Sequence, residues 1–257
     1  MPRTRCGYFR IDQVEIRSIR KSGNSDNRHT RNKGRQWVDY LHDITTGSIK
    51  TAALEGEIEN LHQNIPWRLM RVSFTGEVSF ELSVPANYAL AAWEQLLQAG
   101  KPFNITPLGM EALDVLRTEK GFLEVGVDTD ISTSPLDVGW AAPIAKKKAD
   151  FIGKRSLARP NDKRPDRLQL VGLKPTDKNQ FIPVGSHIVS RDRLKPEGHV
   201  TSSCISPALG HSIAMAMLKS GQARQGERIT IDVDKQHFDA EVVPLGFYDP
   251  KGQRINA

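Results

Sequence analysis

The second half of the chain is a series of short apolar runs. "RPDRLQLVGL" opens it, and "GSHIVS", "GHVTSSC", "SIAMAML", "ERITIDVD" and "FDAEVVPLGF" follow at short spacing with glycine-rich joins. Each run has the length and composition of a strand, and none has room for a helix before the next join. A succession of this kind is expected to form a small antiparallel β-barrel, here over residues 163–257.

The stretch before it reads differently. "WRLMRVSF" has strand composition, and in "VSFELSV" the residues Val78, Phe80, Leu82 and Val84 alternate with Ser79, Glu81 and Ser83. Thr75-Gly76 supplies a tight turn between these two strands. In "ANYALAAWEQLLQAG" Leu90, Trp93 and Leu97 recur at helical spacing, with Gly100 placed to stop the helix. In "TPLGMEALDVLRTEKG" Thr106 can cap, Pro107 suits a first turn, Met110, Leu113 and Leu116 form a stripe, and Gly121 ends it. Strands feeding helices indicate an α+β layer over residues 61–162. The boundary with the barrel is expected near Pro160–Pro165, where "ARPNDKRPDR" is charged and proline-rich.

Residues 1–60 have a different character. "RSIRKSGNSDNRHTRNKGRQ" is polar and has no apolar period, so it cannot bury enough surface to offset its ordering entropy. This segment is expected to be a basic, poorly ordered leader. The chain carries a net charge of +6, which favours anionic partners without choosing among them. Aromatic residues are nearly absent from the basic run, so nucleic acid is not the expected partner. No apolar run approaches the ~18 residues of a membrane span. Two distant cysteines suit a reducing compartment, and a cytoplasmic location is expected.

Familiar catalytic patterns are missing. No G-x-G-x-x-G follows a strand, "FIGKRS" lacks the first glycine of a phosphate loop, and no G-x-S-x-G occurs. The seven histidines are scattered, and no metal site is expected. Asp128 and Asp130 of "DTD" suit turn capping. Glu81 raises the one open question: a carboxylate in mid-strand can point into water or into a cavity, and composition favours water.

Five blocks in order then carry a resemblance: "RVSFTGEVSFELSVPANY", "ITPLGMEALDVLRTEKGF", "DFIGKRSLARP", "GHVTSSCISPALGHSIAMAML" and "FYDPKGQRIN". Together they resemble the C-terminal part of the α subunit of heterotetrameric sarcosine oxidase. That part belongs to the aminomethyltransferase, or glycine-cleavage T-protein, folate-binding family. The resemblance runs from about Ile65 to the end and implies an incomplete aminomethyltransferase-like folate-binding domain followed by the barrel.

The family pattern is a Tyr/Phe-Thr-Gly-Glu turn with a second glutamate four positions on, which recognises the pteridine ring. It falls on Glu81 and reverses the preference for water. Phe74 stands where the family often has tyrosine, Phe122 at another aromatic wall position, and Arg254 where it could meet the folate glutamate tail. The resemblance implies tetrahydrofolate as the bound cofactor, with FAD, FMN and NAD confined to partner or missing domains, and other oxidase-type subunits as partners.

Two departures matter. Leu113 stands where the glycine-cleavage branch has arginine, and sarcosine oxidase α-like sequences are also apolar there. Residues 1–60 do not resemble the family's N-terminal half. Asp12, Asp26, Asp39 and Asp43 sit in no matching motif, so the catalytic residue stays unassigned. The expected function is the folate end of sarcosine demethylation in a truncated α-like subunit. The alternatives are a free-standing aminomethyltransferase and a non-catalytic remnant.

Overall fold

The computed structural model describes residues 8–15, 53–58, 65–101, 104–147, 149–190, 195–233 and 236–254. They fall into two compact units, Met1–Gly109 with Gly252–Ala257, and Met110–Lys251. Contacts divide the chain near residue 110. The helix that follows Gly109 packs on barrel strands.

The first unit holds a four-stranded antiparallel sheet in the order β1-β4-β3-β2. The strands are β1 (Tyr8–Glu15), β2 (Ala53–Ile58), β3 (Ile65–Arg71) and β4 (Ser79–Pro85). Two of them lie inside the expected loose leader: β1 pairs with β4, and β2 pairs with β3. Strand pairing satisfies backbone groups whatever the side chains are, and an argument from composition does not weigh it. The rest of residues 1–60 lies outside the described residues.

The β3–β4 connection is longer than the two-residue turn expected at Thr75-Gly76. The last pair is Arg71 with Phe80, so residues 72–78 form the loop. Hydroxyl groups organise it. Ser73 Oγ accepts the Gly76 N–H at 2.9 Å and Thr75 Oγ1 accepts the Glu77 N–H at 3.3 Å. Gly76 has φ 85°, the left-handed region that glycine enters without steric cost. Val78 sits in this loop and is not part of the strand.

Helix α1 (Ala89–Gly100) packs against β1 and β4. Its buried stripe is Ala89, Ala92 and Leu96, whereas Leu90 is 69% and Trp93 38% exposed. Leu90, Trp93 and Leu97 lie beside this stripe on one broad apolar face, opposite Glu94, Gln95 and Gln98, so helical period alone does not choose between them. The alanine side permits closer approach. Gly100 is the last residue of the helix without the left-handed conformation of a glycine stop, and an added Cβ there would lie 2.5 Å from the Ile105 side chain.

The second unit begins with α2 (Met110–Lys120). It starts four residues beyond Thr106, whose hydroxyl instead donates to the Asn104 carbonyl at 3.3 Å. Met110 is 71% exposed and Leu116 half-buried, so the expected stripe survives only at Leu113. The other buried residues of α2 are Arg117, Thr118 and Glu119. Gly121 closes the helix at φ 73°, with Gly121 N–H to Thr118 carbonyl at 3.0 Å and Phe122 N–H to Arg117 carbonyl at 2.9 Å. This is the paired C-terminal bonding that a left-handed residue allows. A short helix, α3 (Ala141–Lys146), follows.

The barrel forms as expected from the six apolar runs. Strands β5 (Leu168–Pro175), β6 (His187–Val189), β7 (Pro196–Ser206), β8 (His211–Lys219), β9 (Arg228–Val233) and β10 (Gln236–Val243) close in the order β10-β5-β8-β7-β6-β9. All pairings are antiparallel, and closure leaves no unpaired edge. Val171, Leu173, Ile188, Val200, Leu218, Ile231 and Val242 fill the interior. Outside, Met215 and Met217 of β8 and Leu170 of β5 pack with Val138 and with the partly buried Leu123, Leu245 and Phe247. Both faces of β8 are thus covered, which is why "SIAMAML" is apolar without interruption. Among the described residues no helix is long and apolar enough to cross a membrane.

Candidate functional site

Glu81 occupies an interior strand. β4 lies between β1 and β3, and Glu81 pairs with Met70 across the β3 side. On the β1 side the register jumps from Ile11↔Leu82 to Val14↔Phe80. Asp12 and Gln13 therefore both stand against Glu81, which is the two-against-one count of a β-bulge. Bulges bend a strand and re-aim the side chains beside them.

Phe80, Leu82 and Val84 are buried, as alternation predicts. Ser79 and Glu81 on the opposite face are buried too, and Glu81 is 7% exposed. The composition-based expectation of a solvated carboxylate fails, because residues 79–82 of β4 are buried on both faces of the strand. A carboxylate at this depth requires donors or cations around it. Its two oxygens suit a planar ligand that offers two parallel N–H groups.

The loop leading into β4 carries Phe74, which is half-buried, and Glu77. The Arg254 Nε–H donates to the Glu77 carboxylate. Residues 177 positions apart thus meet, and the C-terminal arginine is engaged at the loop before Glu81. Phe74, Glu81 and Arg254 belong to the first unit. Phe122 belongs to the second, half-buried directly after Gly121. Its carbonyl accepts from Arg117 Nη1 at 3.3 Å.

The second unit contains a buried polar network that the sequence did not reveal. Arg117 donates to Asp128 Oδ2 at 2.8 Å and to Ser202 Oγ at 2.9 Å. Thr201 and Ser202 hydroxyls donate to Asp128 Oδ1 at 2.5 Å and 2.6 Å, and the Glu124 N–H donates to Oδ2 at 2.8 Å. Asp128 is therefore saturated, and the set ties α2 and the following loop to β7. Arg117 also donates to the exposed Asp114 at 2.6 Å, and every oxygen of Asp128 is engaged within the protein, which marks the set as structural. A lone arginine in a helical pattern reads as solvent-facing, so no local signal identifies it.

Asp130 behaves as the sequence suggests. It accepts from the Ser132 backbone and hydroxyl and from the Thr133 hydroxyl, and these bonds hold its carboxyl below the usual range. A hollow of about 330 Å³ opens beside it, lined among others by Asp128, Arg164, Arg167, His199 and Thr201. Arg167 is committed to Asp137 at 2.5 Å, a bond that raises its pKa further, and Arg164 is paired with Asp166 at 2.6 Å.

Two family models match successive parts of the chain, and the gap between them spans the proline-rich stretch at Pro160–Pro165. The family model for the GCVT N-terminal domain matches residues 39–148, and that for the glycine cleavage T-protein C-terminal barrel domain matches residues 169–249. The first match begins well before Ile65. A sarcosine oxidase subunit alpha from a Corynebacterium species is 39% identical over 218 residues, covering 82% of this chain and 22% of the relative. An aminomethyltransferase from Halothermothrix orenii is 34% identical over 207 residues, covering 80% of this chain and 53% of the relative.

The chain thus spans about a fifth of the sarcosine oxidase subunits it matches and about half of the aminomethyltransferase. The crystal structure of the glycine cleavage system aminomethyltransferase T from Bartonella henselae superposes with a TM-score of 0.62 at 27% identity, covering 72% of this chain and 50% of that one. The barrel in the structure is the counterpart of the C-terminal barrel domain, and the chain belongs to the glycine cleavage T-protein family.

Proposed function

We propose that this chain supplies the folate-binding, one-carbon part of a sarcosine oxidase α-like assembly. The observation that carries this reading is Glu81, a buried carboxylate at a bulge in an interior strand, four residues after the Thr-Gly-Glu loop. A carboxylate so placed fits the paired N–H groups of a pterin edge. Glu81 would hold that edge, and Phe74 of the same unit would offer a ring face to the heterocycle.

Tetrahydrofolate would supply the amine that accepts the one-carbon unit. This chain's contribution is orientation, which shortens the search for a reactive geometry. Arg254 acts at one remove: its bond to Glu77 steadies the 72–78 loop. The catalytic aspartate stays unassigned. Flavin and nicotinamide chemistry falls to other domains or subunits of the assembly.

The second reading is a free-standing aminomethyltransferase. It is disfavoured by Leu113, which is buried at 7% exposure where that branch places an arginine for the pterin.

The test is a calorimetric titration of the chain with folinic acid, alongside Glu81→Gln. The expected result is saturable binding that weakens about tenfold or more in the variant, since a charge-assisted pair is replaced by a neutral one. A cooperatively folded chain that takes up no folate would refute the proposal.

A further inference from the structure

The positive charge of the chain is gathered in one segment. Residues 146–167 hold nine lysines and arginines against three aspartates, a net +6 that equals the net charge of the whole chain. Two of the aspartates are already used: Asp166 pairs with Arg164, and Asp162 lies 3.9 Å from Arg167. Lys146, Lys147, Arg155, Arg159 and Lys163 are exposed and form no ion pair among the described residues.

Apolar side chains project among these cations. Ile152 is 105% exposed, in the turn that Gly153 completes at φ 94°. The preceding Phe151 has the Lys147 and Lys154 ammonium groups 5.8 Å and 5.9 Å from its ring centre. Ile131 is 108% exposed. Arg167 ties its neighbour to the basic segment, donating to the Ser132 carbonyl at 2.7 Å and to the Asn161 carbonyl at 3.4 Å. Neither isoleucine lines the hollow beside Asp130, so both stand out from the surface.

We propose that this face is a docking surface for an anionic lipid bilayer, with Ile152 and Ile131 entering the boundary between headgroups and acyl chains. The inference does not depend on the folate reading. A bilayer of this kind matches both parts of the face: its phosphates meet the cations, and its acyl boundary receives the isoleucines. A nucleic acid would use the cations and leave both isoleucines in water. The Phe151 ring, already engaged by two ammonium groups, adds little as a stacking platform. Among the described residues no helix is long and apolar enough to cross the bilayer, so the attachment is peripheral.

The charge sets the size of the effect. Each lysine or arginine close to an anionic surface strengthens binding about fivefold at moderate ionic strength, and the gain fades as salt shortens the Debye length. A lone isoleucine anchors little by itself, so the cations and the apolar side chains act together.

The experiment is co-sedimentation of the full chain with two kinds of vesicle at ~0.1 M salt: phosphatidylcholine alone, and phosphatidylcholine with about one-third phosphatidylglycerol. The expected result is binding at least about tenfold stronger to the anionic vesicles, lost near ~0.5 M salt. Lys146→Gln with Lys147→Gln should weaken it about tenfold or more. Ile152→Ser keeps every charge and should weaken it about fivefold. All three positions are exposed, and a melting curve checks each fold; Arg155→Gln with Arg159→Gln serves if the first pair misfolds. Equal affinity for the two vesicles, or no binding to either, would overturn the proposal. So would anionic binding that a folded Ile152→Ser, Ile131→Ser chain retains in full. That last result, or retention of an RNA homopolymer without vesicle binding, would assign the face to nucleic acid.

Discussion

Arg117 of α2 and Asp128 of the following loop form an ion pair at 2.8 Å with side-chain exposures of 2% and 0%. Around them Ser202, Thr201 and the Glu124 amide complete the bonding of the carboxylate. The pair is bound to α2, the loop and β7 at once, so losing one member affects three elements.

Arg117→Met should be strongly destabilising, by about 3–5 kcal/mol, because it strands a buried carboxylate. Asp128→Leu combined with Arg117→Met should recover part of that loss, since neither charge is then left unpaired. Denaturant unfolding of the three chains measures both terms. A single-variant cost below about 1 kcal/mol would show that the network is solvated in solution.

Gly121→Ala tests the end of the same helix. Gly121 has φ 73°, and an added Cβ would come within 2.4 Å of the Gly246 backbone nitrogen. The left-handed conformation alone costs a β-carbon residue about 1–2 kcal/mol, and the clash adds to it. Thermal melts should show a clear drop, larger than that of Gly126→Ala. That control shares the positive φ, but nothing lies within 4 Å of its added Cβ.

Cys204 should be chemically quiet in the folded state. Burial, followed by the nearby Glu119 and Asp114 carboxylates, pushes its thiol up to about 12. In a Cys6→Ser background, a thiol reagent at pH 8 should label Cys204 only as fast as the fold opens. The linkage has a definite sign. The unfolded thiol ionises near 9 and the folded one near 12, so this group lowers stability as pH rises across that window. Labelling at the rate of a free thiol would contradict the burial.

Asp130 gives the opposite sign. Hydrogen bonds from Ser132 and Thr133 hold its folded pKa below 3.8. Its contribution is present above the unfolded pKa and is lost as pH falls through the folded one. The stability gap between the wild type and Asp130→Ala should therefore be constant from neutral pH down to about 4 and shrink below it. Because the group is exposed, the gap should be small, and raising the salt should leave most of it, since hydroxyl and amide bonds rather than a cation produce it.

The barrel was legible in the sequence because closure demands only strand-sized apolar runs with turns between them, and six such runs follow one another. The family blocks were legible for a related reason: a Thr-Gly-Glu loop and a glutamate four residues on are local spacings. What the sequence left open is everything that depends on which neighbour a strand acquires. Glu81 is buried on the face opposite Phe80 and Leu82, in a strand whose neighbour β1 comes from a segment whose composition gives no sign of order. The buried stripe of α1 fell on alanines because packing distance, not hydrophobic period, selected the face. The Arg117–Asp128 pair and its bonds to Thr201 and Ser202 join residues that sequence separation hides. Local pattern determines which elements form, but pairing and packing are long-range, and they alone decide which polar groups are buried together.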